Sequence, residues 1–310
     1  LNMTWIIPSG VAKFQFKNIF NRIDNHRYTF RDGISAQANE EKSAEYFYRS
    51  RTTYNGQITG THYMGDNTLD WCTGFSYADR IVPDRRRYLV NDALESGVMA
   101  LTTGNDISRE WTDLREGITS LSVNDKQVFH IGDREGYVKG GVYGEYRGRK
   151  YNTRVFIYNW NVYDNTLPAG FQKMDVPQLL SNPECFGEDK LHLLEEPHMR
   201  NNYRGANWLA AGYINASVPL GRLEILGGLR YEYNDMELIS NTRDHELSES
   251  SRHYTGGGLF PSATATFRID DKQNLRLSYG RSINRPEFRE VSSSVYYDFD
   301  LASDVQGNTD

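Results

Sequence analysis

Hydrophobic and polar positions alternate with a period of two along most of the chain. Over 45–62 the even positions hold Tyr46, Tyr48, Tyr54 and Ile58, and the odd ones hold Glu45, Arg49, Arg51, Asn55 and Gln57. Phe47 breaks the rule. Over 69–78 the odd positions are Leu69, Trp71, Thr73, Phe75 and Tyr77; over 222–234 they are Leu223, Ile225, Gly227, Leu229, Tyr231 and Tyr233. Successive side chains of a strand point to opposite faces, so each segment predicts a strand between two different solvents. Less regular alternation predicts further strands at 12–28, 136–147, 151–163, 204–218, 255–269 and 275–284, with a tenth through Val295–Phe299.

The predicted connections alternate in length. Gly65-Asp66-Asn67, Gly148-Arg149, Pro219-Leu220-Gly221 and Asp270–Asn274 read as short turns. Between them, 31–43, 80–134, 165–202, 239–253 and 285–294 read as long loops. Short turns on one rim and long loops on the other are expected of a membrane-crossing barrel. A soluble sandwich has no reason for such strict alternation. The inward sets are charged, which predicts a wide lumen holding water or a plug, because a small barrel fills its interior with packed side chains.

Composition supports this picture where hydropathy alone would not. Only 38% of residues are hydrophobic, and no run approaches the ~20 apolar residues of a transmembrane helix. A transmembrane strand needs only ~10 residues, half of them facing lipid. The 21 Tyr, 14 Phe and 5 Trp suit a barrel with aromatic girdles at both interfaces. A net charge of −6 gives no basic nucleic-acid footprint. The densest cationic run, Asp84-Arg85-Arg86-Arg87, reads as a solvated loop tip, or else as a patch for an anionic ligand or lipopolysaccharide. Cys72 and Cys185 lie far apart, and no pairing between them follows. The start at Leu1 without an export signal, and the end in loop-like Asp304–Asp310, predict a fragment.

The stretch Leu275-Arg276-Leu277-Ser278-Tyr279-Gly280-Arg281-Ser282-Ile283-Asn284-Arg285-Pro286-Glu287-Phe288-Arg289-Glu290 resembles a strand and loop start of TonB-dependent outer-membrane receptors of Bacteroidota. It is followed by Tyr296-Tyr297-Asp298-Phe299-Asp300 and Gly307-Asn308-Thr309, where Thr309 replaces the family's usual Pro. Leu226–Glu232 and Val11–Asn21 resemble two further strands of the family. The resemblance implies an all-β fold, an antiparallel up-and-down transmembrane barrel, of which this chain holds about ten strands of about 22. Residues 1–310 would form one partial barrel domain, with the N-terminal plug and the C-terminal strands outside it. It further implies a cell-outer-membrane receptor for active uptake of a bulky ligand: an iron chelate, cobalamin or a glycan. The implied partners are outer-membrane lipid, the TonB complex through the missing N-terminal part, a small-molecule or oligosaccharide ligand and a surface lipoprotein, with no nucleic acid.

Catalytic patterns are absent from the sequence: there is no Gly-x-Ser-x-Gly, His-Glu-x-x-His or P-loop. Asp24, His26 and Ser35 follow no triad order, so neither enzymatic activity nor a cofactor is expected. His192, Glu195 and His198 could together hold a metal, although their spacing matches no standard site; the plain alternative is a polar loop. Tyr88, Trp111 and Phe186, expected in outer loops, could stack on a sugar or chelate, or simply pack the loops together. In the motif Asn284, Arg285, Pro286, Glu287 and Phe288, Pro286 fixes its own φ and disfavours helix before it. The favoured role is shaping the strand end and pairing Arg285 or Glu287 with the barrel wall or plug, ahead of direct ligand contact. The competing function is a soluble or cell-surface β-rich binding or adhesion module, which requires an apolar inner face.

Overall fold

A computed structural model describes residues 2–34, 38–92, 101, 106–159, 173–187, 190–196, 201–242, 245–301 and 303–308, with side chains omitted at 241–250. It is an antiparallel sheet of eleven strands. In chain order the strands are β1 (Met3–Ile6), β2 (Ala12–Ile34), β3 (Glu40–Met64), β4 (Asn67–Asn91), β5 (Ile107–Ile131), β6 (Arg134–Asn159), β7 (His192–Glu196), β8 (Tyr203–Leu220), β9 (Leu223–Thr242), β10 (His245–Arg268) and β11 (Asn274–Gly280). Each long strand pairs with its sequence neighbour, and β8 takes the place beside β6, with β7 alongside the part of β6 that β8 does not reach. β1 and β11 are the two edges. No helix of the described residues is long and apolar enough to cross a membrane.

Cross-strand register defines two faces. One face carries rows such as Phe20–Tyr54–Tyr77 and Thr119–Tyr146–Trp208. Leu121, Ile214, Leu229, Tyr231, Tyr233 and Leu259 lie on this face and are exposed. They form an exposed apolar band of the kind that a membrane-crossing barrel wall turns to lipid. Its aromatic edge includes Tyr146 packed on Trp208 with ring centroids 4.5 Å apart. Phe75, Tyr231 and Tyr233 sit in the band, as does Trp71, whose indole N–H donates to His62 Nε2 at 3.2 Å. Tyr46 and Tyr48 share the outer face but lie toward the far end of β3, where Tyr48 donates to Asp24 at 2.9 Å.

The strands are far longer than the lipid requires. A 25-residue strand such as β3 spans about 80 Å, against the ~10 residues needed to cross. The sheet therefore projects beyond the membrane on the side away from the tight turns.

That projection explains where the expected boundaries differ. The stretch 80–134 is not one long loop: β4 continues to Asn91, and β5 occupies Ile107–Ile131. The outward residues of early β5 are Arg109, Trp111, Asp113 and Arg115, which face water, so polar–apolar alternation begins only near Gly117. Gly148-Arg149 is not a turn but lies inside β6, paired with Gly117 and Glu116 on one side and Ala206 and Gly205 on the other. Gly148 lies beside the Tyr146 ring, whose hydroxyl would stand 3.3 Å from a Cβ there. The actual turn is Gly132-Asp133, where Gly132 adopts a left-handed φ of 59°, as do Gly65 (63°) and Gly221 (59°) at sister turns. The two differences cancel in strand count, but the strict alternation of short and long connections does not hold, since β2 ends at Ile34 with β3 starting at Glu40, and β9 ends at Thr242 with β10 starting at His245. Much of 31–43 and 239–253 is likewise paired strand.

Two hydrophobic clusters flank the sheet. Leu101, Ile107, Val176, Leu179, Cys185 and Leu191 form one around helix α1 (Val176–Ser181), packed on the outer face of the projecting part with Tyr88 and Tyr158. The other, Tyr151, Tyr203, Met236, Leu238, Phe288 and Val291, lies on the inner face. Cys72 and Cys185 are both free thiols.

Candidate functional site

The inner face is lined with arginines and carboxylates. Glu45 is fully buried; Arg27 reaches it at 2.9 Å, and Arg85 Nε donates to it at 2.7 Å. Arg85 also meets Glu110 at 3.3 Å. Phe47, the residue that broke the alternation, is the platform of this group: the guanidiniums of Arg27, Arg49 and Arg85 lie 5.6, 5.8 and 5.6 Å from its ring centre. Further along, Arg147 and Arg149 both donate to Glu116, at 2.8 and 2.6 Å.

The segment after β11 folds back onto this surface as a strap. Arg285 pairs with Glu232 at 2.7 Å. Glu287 accepts from Arg147 at 3.0 and 2.6 Å and from Arg149 at 3.5 Å. Phe288 is 1% exposed and sits beneath the guanidiniums of Arg147 and Arg149, 5.3 and 5.4 Å from its ring centre. Gly205 makes room for it: a Cβ there would stand 2.4 Å from Phe288 Cδ1. The hydrogen bond from Arg147 holds the Glu287 carboxyl below the usual carboxylate range, against the opposing effect of partial burial.

The Tyr-Asp-Phe segment is not a strand of the wall. It forms a separate hairpin of β12 (Val295–Asp298) and β13 (Ser303–Gln306) within the concave side. With four residues in β12 it is far shorter than the long wall strands, and its ladder closes on itself. Arg85 donates to the carbonyl of Tyr297 at 3.2 Å, and Asp300 bridges Arg27 and Arg31 at 3.2 and 3.4 Å. A cavity of about 450 Å³ lies on one side of the hairpin, lined by Arg87, Tyr88, Glu110, Asn201, Tyr297 and Asp304 among others. A second, of about 310 Å³, opens between the hairpin and Arg27, Arg49, Arg80, Arg85 and Arg289.

The remaining sequence candidates are scattered. Asp84-Arg85-Arg86-Arg87 is not a loop tip; it forms a β-bulge in β4, with Asp84 at a left-handed φ of 57°. Asp84 is held by Arg109 at 2.7 Å, Arg86 points outward, and Arg85 and Arg87 point into the lumen. Trp111 and Tyr88 stand on strands rather than loops. Trp111 packs edge-on against Phe156 at 5.2 Å, while Tyr88 and Phe186 pack against the cluster around helix α1. His192 and Glu195 fall on opposite faces of β7, which separates them as ligands of one ion, and Arg154 binds Glu195 at 2.7 and 2.8 Å. His198 and Ser35 lie outside the described residues. Among the described residues no group of three His, Cys, Asp or Glu could hold a metal. The arginines facing the strap, Arg147 and Arg149, were not singled out from sequence; their shared inward parity on β6 was the available signal.

Residues 186–310 match the Outer membrane protein beta-barrel family. No curated protein matches. Among solved structures, the chain is similar to the ferric-catecholate import receptor Fiu of Escherichia coli K12 in its closed form (13% identity, TM-score 0.37, covering 90% of this chain and 47% of that one). It is also similar to the siderophore receptor PiuA of Acinetobacter baumannii (10%, TM-score 0.46, 88% and 42%). The ferric yersiniabactin uptake receptor FyuA of Yersinia pestis is comparable (9%, TM-score 0.34, 87% and 42%). The chain spans less than half the length of these structures.

Proposed function

We propose that this chain is the wall, strap and part of the lumen of a TonB-dependent receptor of the Bacteroidota type, which takes up a bulky ligand across the outer membrane. The carrying observation is the two-sidedness of the sheet: an apolar aromatic band outward, and inward an arginine–carboxylate lining on which the strap is docked. An adhesion module with an apolar inner face does not account for Glu45, Arg85 and Glu110. The proposed domain is a partial barrel over 1–310, completed in the intact receptor by a plug and further strands. The plug side would engage the TonB complex, the long loops would meet the ligand, whether iron chelate, cobalamin or glycan, and a surface lipoprotein would cover them. The motif Asn284–Phe288 serves as the anchor of the strap.

The test is fractionation and uptake with the full-length protein. Recovery in the outer membrane, with accumulation of one of the three ligand classes that stops when the inner membrane is de-energised, supports the proposal. Recovery from the soluble periplasm or the medium contradicts it.

A further inference from the structure

The cavity between the hairpin and the wall carries more positive charge than its neighbours neutralise. Its carboxylates are already engaged. Glu110 pairs with Arg85, Asp300 with Arg27 and Arg31, and Asp298 accepts the backbone N–H groups of Asp300 and Leu301. Arg49, Arg80 and Arg289 remain, and none of the three has an ion pair among the described residues. Arg49 leans on Phe47, and Arg289 stacks on Tyr296 at 3.8 Å from the ring centre. Arg80 Nε is buried with no hydrogen-bond partner. Its charged neighbours include two further cations, Arg289 and Arg49. Arg289 is exposed and solvent screens its charge, but an anion in this partly desolvated space would relieve the repulsion around Arg80 and Arg49.

We propose that Arg49, Arg80 and Arg289 form a lumenal binding site for a small multivalent oxyanion, a carboxylate- or phosphate-bearing group. The site refines the receptor function proposed above and rests on it for physiological meaning. The chemistry fits: planar guanidinium forks match carboxylate and phosphate oxygens in pairs. The aromatic platforms hold Arg49 and Arg289 in place, which lowers the ordering cost of binding. A cavity of about 310 Å³ admits an anionic headgroup but not a whole bulky ligand, so it would seize one end of such a ligand.

The experiment is calorimetric titration of the full-length protein in detergent with inorganic pyrophosphate, with succinate, and with neutral maltose. A parallel titration uses vesicles of phosphatidylglycerol. The site predicts saturable binding of pyrophosphate or succinate, none of maltose, and weakening at high ionic strength. Arg80→Gln and Arg49→Gln should each weaken binding about tenfold, Arg80→Lys less, and Arg222→Gln at the opposite rim not at all. Absence of saturable anion binding, unchanged affinity in both glutamine variants, or binding of the vesicles alone overturns the site. Anion binding without energised uptake sinks the receptor function and leaves the site standing; uptake without anion binding does the reverse.

Discussion

Glu287 and Arg147, 140 residues apart in sequence, meet in two side-by-side hydrogen bonds of 3.0 and 2.6 Å that fasten the strap to β6. The fork-to-fork geometry makes this the strongest class of ion pair, though Glu287 is half exposed and solvent screens it. Glu287→Gln should loosen the strap by about 1 kcal/mol or less. Hydrogen exchange over 284–292 should quicken while the strands of β6 stay protected. Unchanged exchange would show that the pair does not hold the strap.

The same carboxyl gives the docking a pH dependence. Its pKa is lowered when docked, so the ionised form favours the docked state. The contribution is complete above the ordinary glutamate range near pH ~4.3 and disappears as pH falls through the lower docked value. Strap exchange should thus be level from neutral pH to about pH 5 and rise below it, and the rise should vanish in Glu287→Gln.

Phe288 supplies the apolar half of the anchor. Phe288→Ala should cost about 3–5 kcal/mol of strap docking. Gly205→Ala should undock the strap in the wild-type background, because its Cβ would fall within the Phe288 ring. It should have little effect once Phe288 is alanine. Additive effects in this double-mutant cycle would refute the contact.

The sheet assigns neighbouring residues of β5 to opposite solvents. Leu121→Arg, on the outer face, should cost about 2–4 kcal/mol of folding in lipid, whereas Ser122→Arg, on the inner face, should be tolerated. Heat-modifiable mobility of the folded barrel, followed through a denaturant series, measures both. Equal losses would contradict the two-faced wall.

Much of this wall was legible in the sequence, and the rest was hidden for identifiable reasons. β3 and β9 showed their alternation because both solvents touch them within one window: Tyr54 and Tyr233 meet lipid, while Arg51 and Glu232 meet the lumen. β5 was not seen because its early residues are polar on both faces, Arg109 and Asp113 outside and Glu110 and Thr112 inside, so no period-two contrast appears. Gly148-Arg149 suggested a turn because glycine is common in turns, whereas here it sits mid-strand, paired with Gly117 and Ala206. The pairing of the Asn-Arg-Pro-Glu-Phe motif with the wall followed from its charge. The identity of Glu232, Arg147 and Arg149 as partners did not, since contacts between distant strands leave no local periodicity. The arginine site was hidden for the same reason: Arg49, Arg80 and Arg289 come from three separate segments.

The central claim is that this sheet separates lipid from a watery lumen, and cysteine scanning of β9 tests it most directly. In the full-length protein carrying Cys72→Ser and Cys185→Ala, single cysteines would be placed from Glu224 to Tyr233 in native outer membranes. The account predicts alternation: odd positions, including Ile225, Leu229 and Tyr231, should resist a water-borne thiol reagent and be quenched by a lipid-soluble spin label. Even positions, including Glu224, Arg230 and Glu232, should do the opposite. Uniform labelling, or quenching at neither set, would contradict it.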